Sequence, residues 1–391
     1  MDFSFVNHQI GINVFLFACL LILTTNFMVL RRLGSKPEEA IADPNSMPFV
    51  SILVPARNEE ASIENCVVSL LKQDYPRLEI IVLNDHSTDN TGTILNKLAM
   101  TSAKIKIVEG KELPPGWIGK NWACHQLAEI SQGTLLLFTD ADTRHKPNAI
   151  REAVQALSAH RYDFLSAFPY QIVDTFGEKL LVPTLYWYTQ SFISLILSYT
   201  TPFRILAVSI GQFMLIRRET YQEIGGYAAI RDQTADDLAL VRLVKAYKHR
   251  WGLFDGTLLI QCRMYRSFRQ VVSGFSKNFF AGFGYRIIPY FFIWIWMAIV
   301  FLEPPIILLI NWANIPIQGY SIQLALLAIL EASLLFGLTL FRFRFPLWIV
   351  LFYPISILLS VVIALRSVFI TLTGRASWKG RTIDRPQISW F

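Results

Sequence analysis

Asp140 and Asp142 stand one residue apart, directly after the apolar run Leu136-Leu137-Phe138-Thr139. Such a run reads as a buried strand, and the C-terminal end of a parallel strand is where open α/β sheets place ligands. Two carboxylates this close repel each other unless a cation or a hydrogen-bond donor separates them. A divalent ion carrying a diphosphate meets that need, because a hard cation takes one or two protein carboxylates and fills its shell with phosphate oxygens and water.

Three other polar clusters punctuate the chain in the same manner. Arg57, Asn58, Glu59 and Glu60 follow Phe49–Pro55, a strand expected to stop at its proline. The run from Asn84 to Thr91 follows Glu79–Leu83. In it Asp85 can accept from a base N–H or a ribose hydroxyl, while Ser87, Thr88 or Asp89 can cap the next helix. Asp236 and Asp237 open a helical pattern, where the dipole favours acids; a carboxylate there that faces an acceptor hydroxyl is a general base. Lys120 follows Pro114-Pro115-Gly116 at the start of another helical pattern, and can meet phosphate or base together with the helix N-terminus. Trp117 and Trp122 read as packing residues. His86, His125 and His145 lack the spacing of a metal-binding pair.

These clusters converge only if the chain between them alternates strand and helix. Strands are expected over 49–55, 79–85, 104–109 and 134–140, and helices over 59–72, 90–100 and 120–131. That βαβ order predicts an α/β fold, a mostly parallel sheet with helices on both faces.

The ends of the chain are of another kind. Of 391 residues, 53% are hydrophobic and only 17% charged, with a net charge of +7. That is too apolar for an ordinary soluble protein. The basic residues border apolar segments rather than forming a stripe, which excludes nucleic acid as partner and fits positive-inside membrane orientation. Ile10–Leu30 carries no charge and ends at Arg31-Arg32. With the basic pair after the apolar run it reads as an uncleaved anchor, not a signal peptide. The expected organisation is an anchor over 1–33, a linker over 34–47, a cytoplasmic catalytic domain over 48–285, membrane segments over 286–372 and a basic cytoplasmic tail over 373–391. The apolar stretch near 180–216 either covers the sheet or lies in the membrane interface as part of a substrate region. Glu303-Pro304-Pro305 is expected to kink or break the first C-terminal segment. Both basic clusters, Arg342/Arg344 and the tail, should lie inside, so one of the three C-terminal segments should not cross; the last is the first choice and the first is the other. The four cysteines are scattered and are expected to be reduced.

Pro55-Ala56-Arg57-Asn58-Glu59, Asn84 to Asp89, Thr139-Asp140-Ala141-Asp142 and Ala235-Asp236-Asp237, in this order, resemble the motifs of family 2 glycosyltransferases with a GT-A fold. The resemblance implies inverting transfer of a sugar from a nucleoside diphosphate, UDP being the expected carrier, with Mn2+ or Mg2+ as cofactor. Pro55, Arg57, Glu59, Asp85, Lys120 and Asp140 then line the nucleotide-sugar site, and Asp142 is the metal ligand. Asp237 matches the base, but Asp236 stands where the family usually has Glu, so the choice between them is open. Gly211 to Arg218, Gly225-Gly226-Tyr227 and Trp378-Lys379-Gly380-Arg381 look like those of bacterial carotenoid- and hopanoid-associated enzymes. Arg269 to Asn278 lacks the Arg-Trp pair of processive synthases. The expected reaction is therefore one sugar added to a hydroxyl of a membrane lipid, carotenoid- or hopanoid-like, at the inner (plasma) membrane in a multi-pass protein. Polyprenyl phosphate, diacylglycerol or a sphingoid lipid are the other acceptors, with Arg204, Arg217, Arg218 and Arg231 available for a phosphate. A non-catalytic membrane scaffold is the reading from another class.

Overall fold

A computed structural model describes residues 3–35, 47–315 and 319–391. Most of the expected linker therefore lies outside the described residues. The first helix, α1 (Phe3–Val29), is apolar along its length, and β1 (Arg31–Arg32) follows it.

The sheet forms from the runs that periodicity marked as buried strands. In chain order come β2 (Val50–Ala56), α2 (Ile63–Leu71), β3 (Leu78–Asn84), α3 (Thr91–Ala99), β4 (Ile105–Glu109), α4 (Gly119–Ile130) and β5 (Leu135–Phe138). Next come β6 (Thr143–His145), α5 (Ala149–Ala159), β7 (Phe164–Phe168), β8 (Tyr170–Gln171), α6 (Phe176–Phe192), α7 (Leu195–Thr200) and β9 (Met214–Arg217). The domain closes with α8 (Arg218–Glu223), α9 (Asp236–Ala246), β10 (Trp251–Asp255), β11 (Ile260–Cys262) and α10 (Phe268–Gly282). The main sheet has the order β1-β10-β7-β9-β5-β2-β3-β4. All its pairings are parallel except those of β9, which runs antiparallel between β5 and β7. Strands β2, β5 and β7 are buried on both faces, as a sheet covered by helices requires.

Two expectations about strands are corrected. Strand β2 does not stop at Pro55; it runs on to Ala56, with Pro55 opposite Leu83 in register. The stretch 180–216 is not one segment. Met214, Leu215 and Ile216 are core residues of β9, Leu181 and Trp187 of α6 are buried, and Tyr186 packs on Phe168 of β7.

Helix α6 begins at a capping box that the sequence spells as Thr175-x-x-Glu178. Thr175 accepts from the Glu178 N–H, and the Glu178 carboxylate accepts from the Asp174 N–H. Ser267 and Gln270 do the same for α10. These two starts set the angle at which apolar helices leave the domain.

The helical layer is completed by α11 (Ile287–Trp312), α12 (Ile322–Arg342) and α13 (Tyr353–Leu372), followed by the hairpin β12 (Ser377–Trp378) and β13 (Arg381–Thr382). Helix α11 is continuous through Pro304 and Pro305, so the expected break is absent. Glu303 is instead engaged by His8 and by the Tyr320 hydroxyl. Among the described residues four helical segments are long and apolar enough to cross a membrane: 5–29, 287–312, 322–342 and 347–372. The last differs from the others in where it goes. Before it, Phe343 packs on Phe168 and Tyr186 of the sheet domain. Along it, Ser367 accepts from the Phe280 N–H of α10. After it, Arg381 reaches Asp85. Both flanks of α13 thus contact the sheet domain.

The basic residues next to α1 and α12 also bind the sheet edge. Asp255, at the end of β10 and fully buried, takes Arg32 at 3.0 Å and Arg342 at 3.3 Å. A charge removed from water this completely needs such partners.

Candidate active site

Three parallel strands deliver acids to one edge of the sheet. Asp85 follows β3, Asp140 and Asp142 follow β5, and Glu59 follows β2 by three residues. Because β9 is reversed, its N-terminal end arrives at the same edge and brings Ser209 to Gln212. Hydroxyls of neighbouring strands pin that segment: Ile210 N–H donates to Ser166 Oγ, and Thr139 Oγ1 donates to the Gln212 carbonyl.

The first two loops are laced together. Asn58 N–H donates to Ser87 Oγ, Thr88 N–H to Asn58 Oδ1, and Glu59 N–H to Thr91 Oγ1. Arg57 Nη1 donates to the Asp85 carbonyl at 2.6 Å. Ser87 and Thr88 therefore tie loop to loop rather than cap α3. Asp89 alone serves its helix, accepting from the Thr91 N–H. Asn58 and His86 hold positive φ of 52° at these tight turns, a conformation that asparagine tolerates better than most residues.

Lys120, the second residue of α4, lies between two acids, 3.0 Å from Asp140 and 3.4 Å from Asp236. Burial alone would lower its pKa, but these two carboxylates outweigh it and hold the ammonium well above its ordinary value. Asp236 is buried and also accepts from the Tyr227 hydroxyl. Its neighbour is placed differently. Asp237 is half-buried and takes the Gly211 and Leu238 N–H groups. Burial, then the charge on Asp236, push its pKa up to about 6.

Asp142 accepts only a weak thiol donor, Cys262 Sγ at 3.3 Å. Burial, followed by Asp140 and Glu59, raises its pKa to about 7. A half-buried carboxyl whose negative charge is so poorly compensated suits a hard cation. Among the described residues no three His, Cys, Asp or Glu side chains form a ready-made metal cage. Such an edge fits a metal that arrives with its own phosphate ligands.

Pro55 packs within β2 and supplies only backbone to this edge. Arg217 and Arg218 face elsewhere: Arg217 binds the Tyr162 carbonyl and Arg218 the Gly133 carbonyl and Ser131. They are removed from the residues available to an acceptor phosphate. Trp117 and Trp122 pack on each other and on His125. His145 is buried, and burial lowers its pKa to about 3. All four cysteines are free and buried.

The structure adds residues that motif reading did not select. Lys277 of α10 has no ion-pair or hydrogen-bond partner among the described residues, although Asp236, Asp140 and Asp237 act on it; burial lowers its pKa to about 8. Arg242 of α9 has an unpartnered buried Nε and is acted on by Asp237. Lys379 and Arg381 come from the tail: Lys379 lies 3.0 Å from Glu59, and Arg381 lies 2.5 Å from Asp85. Only Trp378 to Arg381 carried a sequence signal, as a short basic motif after the last apolar segment.

Comparison with known proteins agrees with this architecture. Residues 51–225 match the model of glycosyl transferase family 2. The chain is 25% identical over 242 residues to a 4,4'-diaponeurosporenoate glycosyltransferase of Staphylococcus haemolyticus, covering 60% of this chain and 61% of the relative. It is 39% identical over 101 residues to a beta-monoglucosyldiacylglycerol synthase of Nostoc, covering 25% of this chain and 21% of that protein. The matches thus span about three fifths of the first relative's length and about a fifth of the second's. A mannosyltransferase from Pyrobaculum calidifontis, solved with GDP-Man and Mn2+, shares the fold with a TM-score of 0.52 at 19% identity, covering 91% of this chain and 97% of that one. Over residues 51–225 the chain is thus similar to family 2 glycosyltransferases, with the fold of the mannosyltransferase, and its relatives include carotenoid-associated glycosyltransferases.

Proposed function

We propose that this protein is an inverting glycosyltransferase that moves one sugar from a nucleoside diphosphate, UDP being the expected carrier, to a hydroxyl of a membrane lipid. The observation that carries this reading is the meeting of Asp85, Asp140, Asp142, Lys120 and Asp237 at one sheet edge, beside an apolar helical layer. Asp85 receives the nucleoside. Lys120 and the N-terminus of α4 favour the anionic diphosphate, with Asp140 positioning Lys120. Asp142 holds Mn2+ or Mg2+, which supplies charge neutralisation on the leaving diphosphate when bound.

Asp237 is the base of the pair. Asp236 is committed to Lys120 and Tyr227, whereas Asp237 is oriented by two backbone N–H groups and has a pKa near working pH. It takes the proton from the acceptor hydroxyl, whose oxygen attacks the anomeric carbon on the face opposite the diphosphate. One bond forms as one breaks, and the anomer inverts.

The lipid acceptor is supported by what precedes Ser209. Ile196, Leu197, Phe203 and Ile205 are exposed on the stretch that leads into the residues holding Asp237. Helix α7 starts at Asn26 of α1, whose side chain binds the Gln190 and Ile193 carbonyls and the Leu195 N–H. The apolar patch so continues the exposed face of α1. Carotenoid and diacylglycerol acceptors, named for the two relatives, both suit such a surface. With α1, α11 and α12 crossing an inner membrane and α13 lying along it, Arg31-Arg32, Arg342 and the tail all fall on the cytoplasmic side with the catalytic domain.

One observation favours a second acceptor class. Among the described residues Lys277 and the Arg242 Nε have no hydrogen-bond partner beside the acid pair, and an acceptor bearing a phosphate or carboxylate would supply one.

The test is sugar transfer by the full-length protein in detergent with Mn2+, screening UDP-, GDP- and dTDP-sugars against a lipid extract by mass spectrometry. A glycolipid formed by the wild type and absent with Asp237→Asn supports the enzyme. No product from any donor, with no metal-dependent nucleotide binding, leaves the scaffold reading.

A further inference from the structure

The tail hairpin sits where the donor is expected. Its two-residue turn places Lys379 at φ 47° and Gly380 at φ 82°, the two left-handed positions of a type I′ turn. That turn projects two cations toward the sheet edge. Lys379 Nζ donates to the Asn58 carbonyl and pairs with Glu59. Arg381 Nη1 pairs with Asp85. Arg57 Nε donates to the Lys379 carbonyl. The fit at Gly119, the first residue of α4, is close: a Cβ there would stand 2.7 Å from Arg381 Nη1, 3.4 Å from Trp378 and 3.5 Å from Asp85 Oδ2.

The Arg381 position is an electrostatic compromise. The N-terminus of a helix disfavours a cation, so the carboxylate of Asp85 has to hold Arg381 against α4. Yet the pair is only half made. Asp85 is 1% exposed and its Oδ1 has no hydrogen-bond partner among the described residues, whereas a bidentate arginine would engage both oxygens. A buried, unpartnered acceptor beside a helix N-terminus is suited to a ligand with both a donor group and an anion. An isolated two-stranded hairpin is at best marginally stable by itself, so this one is readily moved once its ionic clasps are exchanged.

We propose that the hairpin Ser377–Thr382 is a displaceable occupant of the nucleotide site. Arg381 and Lys379 hold Asp85 and Glu59 while no donor is bound, and an incoming nucleoside diphosphate takes Asp85 from Arg381. This rests on the assignment of Asp85 to the nucleoside.

The experiment uses the full-length protein in detergent with Mn2+ and UDP, GDP or dTDP as probes. Hydrogen exchange of the peptide containing residues 377–382 should rise when a probe binds. Arg381→Gln, which keeps a polar side chain but removes the charge, should bind the probe about tenfold tighter, the scale of one lost charge-assisted contact. Lys379→Gln should shift affinity the same way by a smaller factor. A probe that binds wild type without altering exchange, or more weakly to Arg381→Gln, overturns the proposal and makes the hairpin a fixed wall of the site, leaving the donor assignment intact. A probe that binds Arg381→Gln but not wild type supports it. If no probe binds either protein, the donor assignment falls and the proposal with it.

Discussion

The sheet edge and the helical layer are held by different kinds of interaction. At the edge, directional hydrogen bonds lace the loops and orient Asp237: the Asn58 N–H donates to Ser87, the Glu59 N–H to Thr91, and the Gly211 and Leu238 N–H groups to the Asp237 carboxylate. In the helical layer, packing is broad and apolar, with Trp187 enclosed by Phe192, Phe301 and Phe336. The two regions share one apolar core, in which Phe343 packs on Phe168, and ionic clasps join them at its border: Asp255 with Arg32 and Arg342, Glu59 with Lys379, and Asp85 with Arg381. Chemistry that needs carboxylates in fixed places is thus served by directional bonds, and attachment to an apolar layer by non-directional burial. Charge is spent where the layers join, and two of those three clasps fall on acids assigned to the donor.

Substitutions separate the two regions. Asp237→Asn should lower kcat by about a thousandfold, the range of a lost general base, while leaving nucleotide affinity and the melting temperature near wild type. A fall in affinity of similar size would shift Asp237 to donor binding. Asp142→Asn should cost a hundredfold or more, roughly the several kcal/mol of charge stabilisation a metal supplies. It should also abolish the Mn2+ dependence of nucleotide binding measured by calorimetry; unaltered Mn2+ dependence would move the metal elsewhere.

On the joining side, Asp255→Ala strands two arginines and should destabilise the fold by about 2–4 kcal/mol. A melting curve in detergent checks it, and the folded fraction should still bind nucleotide. A silent substitution would mean that apolar packing alone joins the layers.

The smallest effect is one of pH. Asp237 must be a carboxylate to accept a proton, and burial and Asp236 raise its pKa to about 6. The base form is lost as pH falls through that value, so kcat should drop about tenfold per pH unit below it. The residual activity of Asp237→Asn should lack this limb.

Several of these features were legible in the sequence because they are local. A buried parallel strand shows itself as an apolar run, so β2 to β5 and the helices between them were recoverable, and the acids at their ends followed. Of the kink or break expected at Glu303-Pro304-Pro305, the break does not occur, because a local rule about proline does not record how the whole of α11 packs. The reversal of β9 left no local mark either, since Met214 to Ile216 reads as one more apolar stretch. Yet that reversal brings Gly211 to Asp237.

The sequence by itself determined the class of fold, the acids at the strand ends and the apolar ends of the chain, because each depends on residue type at short spacing. Only the tertiary structure decided which acid of the Asp236/Asp237 pair Lys120 engages, and that Lys379 and Arg381, far along the chain, lie on Glu59 and Asp85. Those contacts join residues some 300 positions apart. Such contacts depend on where the whole chain is free to go, and no periodicity or motif spacing records that.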